Sequence, residues 1–281
     1  PSNPGSRSLT DETLEQLRKL VEKRPNLIII TDDVYGNFVN NFRTVYSVCP
    51  RNTILVYSYS KLYGVTGWRL GVIAINEDNV FDELIKKVPD KKKKELESDY
   101  SIVTFNPSEM SFIDRVCADS RSIGLYHTAG LSTPQQIMMV LLSMTHLVLE
   151  NEKDQYIEGC KEIVAMRYHN LMSTLGLPED NSDSNAKYYS LLDIYQLAEK
   201  NHDKDFATWL RNHFEEIDFL LHLAKEDGVV LMEGAGFGAI PGTVRVSEAN
   251  LADNDYKKIA NRILSLLKEY YEKYTKEKND K

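Results

Sequence analysis

The stretch from residue 53 to residue 75 constrains this chain more than any other. An apolar run, Thr53-Ile54-Leu55-Val56, leads into Tyr57-Ser58-Tyr59-Ser60-Lys61-Leu62-Tyr63-Gly64-Val65-Thr66-Gly67-Trp68-Arg69-Leu70-Gly71. A second run, Val72-Ile73-Ala74-Ile75, leaves it. Short apolar runs bounded by turn residues predict buried strands of a parallel sheet. Lys61 then lies in a turn-rich connection between two core strands, where α/β proteins build sites. Loss of solvation at such a strand end favours the neutral amine, the form that attacks a carbonyl. Ser58 and Ser60 offer hydroxyls, Arg69 a charged fork, and Gly64 and Gly67 tight turns, a set suited to holding a phosphate.

The flanking sequence extends the α/β reading. Thr10 caps a helix whose first turn carries Asp11 and Glu12, and Leu14, Leu17, Leu20 and Val21 follow at helical spacing. Leu27-Ile28-Ile29-Ile30 reads as a buried strand ending in Thr31-Asp32-Asp33-Val34-Tyr35-Gly36. This helix–strand–connection–strand order predicts a parallel sheet. Helices are expected from Val80, over 112–121, after Ser132-Thr133-Pro134, and from about Asp154 to Leu175, with Gly176 as a C-cap. Ile137, Met138, Val140, Leu141 and Met144 read as a core face. Lys91 to Lys94 reads as a solvated charge run. Short strands are expected at 188–194, 229–232 and 243–247, before a last helix carrying Tyr256, Ile259, Ile263, Leu266, Leu267 and Tyr270. The change from parallel α/β to short strands between long helices puts a domain boundary near residue 151, with 1–150 in a large domain and 151–281 in a smaller one. Gly234-x-Gly236-x-Gly238 lacks the helix start and later acid of a dinucleotide loop and reads as a turn.

The full pattern S-x-S-K-x-x-G-x-x-G-W-R-x-G resembles the cofactor-lysine segment of aspartate-aminotransferase-like, fold type I pyridoxal-phosphate enzymes. That resemblance implies a PLP-dependent transferase-like α/β fold, here part of a large mainly parallel-sheet domain plus a smaller α+β domain. It implies pyridoxal 5'-phosphate as cofactor and Lys61 as the catalytic lysine. Asp32 and Tyr35 are similar to the family's D-x-x-Y element, the acid for the pyridine nitrogen and the phenol for the cofactor's ring oxygen. Asn3, in N-P-G-S, is similar to the family's N-P-T-G asparagine, with Gly5-Ser6 in place of Thr-Gly. Ser58, Ser60 and Arg69 would complete cofactor binding. Arg245, in T-V-R-V-S, resembles the arginine that takes the substrate α-carboxylate, and Ser132 a residue near the subunit boundary.

F-I-D-R-V-C-A-D-S-R, H-T-A-G-L-S-T-P-Q-Q, R-V-S-E-A-N-L and the long segment 79–131 look closest to the subgroup that both transaminates aspartate and removes its β-carboxylate. The implied reaction converts L-aspartate to L-alanine and CO2, with aminotransferase activity beside it. Arg121 is the candidate for the β-carboxylate, and His127 has no partner visible by spacing. Two other readings stay open: an ordinary aspartate or aromatic-type aminotransferase, and a non-catalytic ligand-sensing domain on the same fold.

Charge and composition narrow the partners. With a net charge of −8, general nucleic-acid binding is not expected. Cys49, Cys117 and Cys160 are widely spaced, which predicts neither a disulfide framework nor a metal site and suits a reducing, cytoplasmic setting. No run of apolar residues is long enough for a membrane span. The resemblance implies a homodimer or a higher homo-oligomer built from dimers. The opening Pro1-Ser2-Asn3, without methionine, reads as the C-terminal part of a longer protein.

Overall fold

The computed structural model describes residues 1–122, 130–148 and 154–280; His127 lies outside the described residues. The chain divides into two units. One holds Leu9–Gly36 and Phe42–Asp154, and the other holds Pro1–Ser8, Asn37–Asn41 and Gln155–Lys281. The second unit therefore recruits the first eight residues and a short later segment, which a boundary near residue 151 does not anticipate.

In the first unit, helix α1 (Asp11–Lys23) starts where Thr10 accepts a hydrogen bond from the Thr13 N–H, and it buries Leu14. Leu14 packs with Val45 and Cys49, with Ile29 against them. This fixes the approach of α1 to strand β1 (Ile29–Asp32), which pairs in parallel with β2 (Thr53–Ser58). Strand β3 (Gly71–Ala74) pairs with β2 antiparallel, so the sheet is mixed. The expectation of two parallel strands around Lys61 fails because residues 59–70 hold only a short helical turn, too little for the crossover a parallel return needs. Nor are these strands fully buried: Ile30 is 69% exposed and Ile73 48%. Helices α2 (Val80–Lys86), α3 (Asp90–Tyr100), α4 (Phe112–Ser122) and α5 (Thr133–Val148) follow. The apolar face expected in the core on α5 is largely open: Ile137, Val140, Leu141 and Met144 are all exposed.

The second unit is built on α6 (Gln155–Leu175) and α10 (Asp255–Asn279). Between them run β4 (Tyr189–Asp193), α7 (Ile194–Asn201), α8 (Lys204–His213), α9 (Glu216–Glu226), β5 (Met232–Glu233) and β6 (Thr243–Ser247). The sheet order is β4-β6-β5, antiparallel throughout. Its core joins Leu171, Leu192, Ile194, Phe206, Phe219, Val244, Tyr256 and Ile263. The strand expected at 229–232 shrinks to Met232–Glu233, and the last helix runs to Asn279. Gly234, Gly236 and Gly238 form the predicted turn, with Gly238 left-handed at φ 76°.

Gly242, at φ 83°, introduces β6 with no room for a side chain, since a Cβ there would stand 2.0 Å from the Tyr195 ring. Left-handed backbone and overpacking act together at this point. Gly242→Ala is expected to lower the stability of the chain by about 2 kcal/mol or more, read from the midpoint of urea unfolding; an unchanged midpoint contradicts this packing.

Candidate active site

Parallel pairing brings the ends of β1 and β2 to the same edge of the sheet, with Asp32 beside Val56 and Ser58 two residues on. Asp32 is exposed, and one carboxylate oxygen accepts the Val34 N–H at 3.1 Å, which turns the chain away from the strand. Tyr35 is buried, 6% exposed. From the end of β2 the Ser58 hydroxyl donates to the Leu70 carbonyl at 3.4 Å and accepts the Ser60 N–H at 3.2 Å. Lys61 follows, partly buried, with no hydrogen bond or ion pair among the described residues. Its solvation is therefore not lost in this chain to the degree its strand-end position predicts.

Arg69 is left-handed at φ 57°, ψ 48°, a conformation that costs a residue with a side chain free energy and that gathers at functional sites. Its guanidinium is exposed and donates to the Thr66 carbonyl at 3.1 Å. Asp32, Ser58, Ser60, Lys61 and Arg69 thus belong to one strand-end region of the first unit. An amine, a carboxylate, two hydroxyls and a guanidinium fit a group that carries a carbonyl, a basic ring nitrogen and a phosphate.

What holds this loop was not legible in its motif. The Tyr59 and Ser143 hydroxyls hydrogen-bond at 2.6 Å, the Tyr63 hydroxyl donates to the Leu142 carbonyl at 3.1 Å, and the Gln135 amide donates to the Trp68 carbonyl at 2.8 Å. All three partners lie on α5. Leu62 and Leu70 are buried beneath the loop, each 2% exposed. Trp68 is 41% exposed, and its backbone carbonyl is what α5 contacts. Ser132 is exposed and shares the Gln135 side chain at the start of α5. Arg121 sits exposed in the last turn of α4, without a hydrogen bond or ion pair among the described residues.

The second unit contains the other arginine. Arg245, on β6, lies between the rings of Tyr189 and Phe237, 4.3 and 4.0 Å from their centroids. It donates to the Asn3 side-chain oxygen at 2.7 Å and to the Met232 sulfur at 3.0 Å. Two flat faces and two donors fix the fork. Asn3 reaches it because Ser6, buried and left-handed at φ 56°, accepts the Tyr189 N–H through its hydroxyl, while its carbonyl accepts the Ala186 N–H. The serine that departs from the N-P-T-G pattern is thus the residue that ties this stretch to β4.

Glu248, just beyond β6, was also missed. It is fully buried, accepts a hydrogen bond from Ser190, and leaves its second oxygen without a partner. Burial pushes its carboxyl up to about 8, against opposing pulls from Ser190 and Arg245.

The folded state holds this proton from about pH 4.5 to about 8, while the unfolded chain has released it. Stability contributed by Glu248 is therefore present below that window, declines as pH rises through it and is flat above. Glu248→Gln is expected to flatten the decline between pH 5 and 8 in chemical denaturation; an unaltered slope contradicts the assignment.

A family model described as aminotransferase class I and II matches residues 1–263. A bifunctional aspartate aminotransferase and L-aspartate beta-decarboxylase from a Pseudomonas species is 42% identical over 275 residues, covering 98% of this chain and 51% of that protein. An aspartate/prephenate aminotransferase from Nitrosomonas europaea is 24% identical over 95% of this chain and 57% of its own length. The chain spans about half the length of these curated relatives. A solved structure of a Thermus thermophilus aspartate aminotransferase variant superposes with a TM-score of 0.62 at 20% identity, over 93% of this chain and 56% of that one, a likeness of fold.

Proposed function

Because the chain belongs to the class I and II aminotransferase family, whose members are pyridoxal phosphate enzymes of fold type I, we propose that the whole protein acts on L-aspartate. In this reading it exchanges the amino group with a 2-oxo acid and also releases the β-carboxylate as CO2, leaving L-alanine. The observation that carries the reading is Lys61, unpaired among the described residues at a strand edge that also presents Asp32, Ser58, Ser60 and Arg69. The 42% identity to a bifunctional aspartate aminotransferase and L-aspartate beta-decarboxylase supports the choice of substrate and the second activity.

The roles follow from the chemistry of each group. Lys61 holds the cofactor and, once released, its amine takes the proton from the substrate Cα. Ser58, Ser60 and Arg69 bind the phosphate. The Asp32 carboxylate keeps the ring nitrogen protonated, and Tyr35 and Asn3 bind the ring oxygen. When bound, the cofactor supplies an electron sink for charge developing on the substrate. Arg245 takes the α-carboxylate as a bidentate fork, held flat by Tyr189 and Phe237 and steadied by Asn3. Arg121 acts on the β-carboxylate, and exclusion of water there decides between the two products. Assembly into homodimers or larger oligomers belongs to the same proposal, supported by the open apolar face of α5. A reducing, cytoplasmic setting is supported by three free cysteines. Among the described residues no helix is long and apolar enough to cross a membrane.

An ordinary aminotransferase is the second reading, supported by the aspartate/prephenate aminotransferase match across 95% of the chain. Incubating the full-length protein with aspartate, with and without a 2-oxo acid, separates the two. Alanine and CO2 are expected without any acceptor, whereas strict dependence on the acceptor leaves only transamination. Lys61→Ala is expected to lower both activities by about a thousandfold or more, the scale of losing a nucleophile that also moves the proton.

A further inference from the structure

We propose a second anion site in the first unit, in the cleft between α2, α3 and α4, that takes a small organic anion through a phosphate or carboxylate group. The cleft has a volume of about 330 Å³ and shares no residue with the Lys61 loop. Lys86 from α2, Lys93 from α3 and Arg115 from α4 line it, with Glu97 the one carboxylate on its wall. Ile85 and Leu96 supply apolar surface and Ser108 a hydroxyl. The lining thus carries a surplus of positive charge in a chain whose net charge is −8.

Arg115 is the central observation. It is 93% buried, and no carboxylate pairs with it among the described residues. Its Nη2 donates to the Pro107 carbonyl at 2.7 Å and its Nε to the Met110 carbonyl at 3.3 Å. The guanidinium lies over the Tyr100 ring, 4.9 Å from the centroid, and the Tyr100 hydroxyl donates to Asp119 at 2.9 Å. These contacts lock the orientation of the fork while Nη1 stays buried without a partner. A buried cation held rigidly with a donor unused loses solvation that neutral carbonyls return only in part. An oxyanion entering the cleft supplies the missing acceptor and charge, and the planar guanidinium suits phosphate and carboxylate alike.

The surroundings are consistent with a site shaped for a ligand. Stacking of Phe81 on Phe112, and the Phe112 N–H donating to Asp82 at 2.6 Å, fix α4 against α2. Lys86 makes no ion pair among the described residues, and Lys93 has a 3.8 Å approach to exposed Asp90. Lys92 instead pairs with Glu95 on the outer face of α3. The lysine run at 91–94 is therefore not uniform: Lys93 is only partly exposed and turns toward the cleft.

Arg69, Arg121 and Arg245 are the other arginines given anion-binding roles, so the test uses the full chain carrying Arg69→Met, Arg121→Met and Arg245→Met. Calorimetric titration at constant ionic strength, with inorganic phosphate in one arm and succinate in the other, is expected to show saturable binding in at least one and to separate phosphate from carboxylate recognition. Arg115→Met is expected to weaken that binding by about tenfold or more, the scale of one charge-assisted hydrogen bond. Lys86→Gln weakens it several-fold, Glu97→Gln tightens it, and Lys92→Gln outside the cleft leaves it alone. Should Arg115→Met fail to fold, the opposite shifts in Lys86→Gln and Glu97→Gln decide. No saturable binding in either arm, or binding indifferent to Lys86 and Glu97, overturns the site.

Discussion

Everything assigned to Lys61 depends on how residues 59–70 are held. A connection of that length between antiparallel strands has little backbone hydrogen bonding of its own, and the entropy of ordering it must be offset elsewhere. The offset comes from α5: the Ser143 hydroxyl, the Leu142 carbonyl and the Gln135 amide each take one point along the loop. Leu62 and Leu70 anchor its two ends in apolar surroundings. The result keeps the lysine half-open to solvent but its backbone fixed, which suits the role proposed for it.

The second unit solves a related problem differently. A guanidinium that is to receive a carboxylate must be oriented without being neutralised. Arg245 gets its orientation from two aromatic faces, an amide oxygen and a thioether sulfur, none of which carries a negative charge. Glu248, which interacts with it electrostatically, is buried deeply enough to keep its proton at neutral pH. No ion pair occupies the guanidinium among the described residues.

The legible part of the site was the part written in short motifs. Lys61 with its serines, glycines and Arg69 follows from turn chemistry and phosphate recognition, and the capped α1 and the buried stripe of α10 follow from periodicity. Other features depend on partners distant in sequence. Ser143 meets Tyr59 across 84 positions, and Arg245 meets Asn3 across 242. Ser6 looked like a departure from a pattern, and only its bond to Tyr189 gives it a purpose. The direction of β3 was misjudged because apolar content reports burial but not orientation; the length of the connection did carry that information. The open strands and α5 face went unseen because periodicity identifies an apolar face without saying what covers it.

The central claim is that Lys61 is the residue that binds the cofactor covalently. The most direct measurement mixes the full-length protein with pyridoxal 5'-phosphate, reduces the product with borohydride and maps the modified lysine by peptide mass spectrometry. The account predicts one dominant stoichiometric modification, on Lys61, lost in Lys61→Ala. Modification spread over surface lysines with Lys61 unlabelled would contradict it.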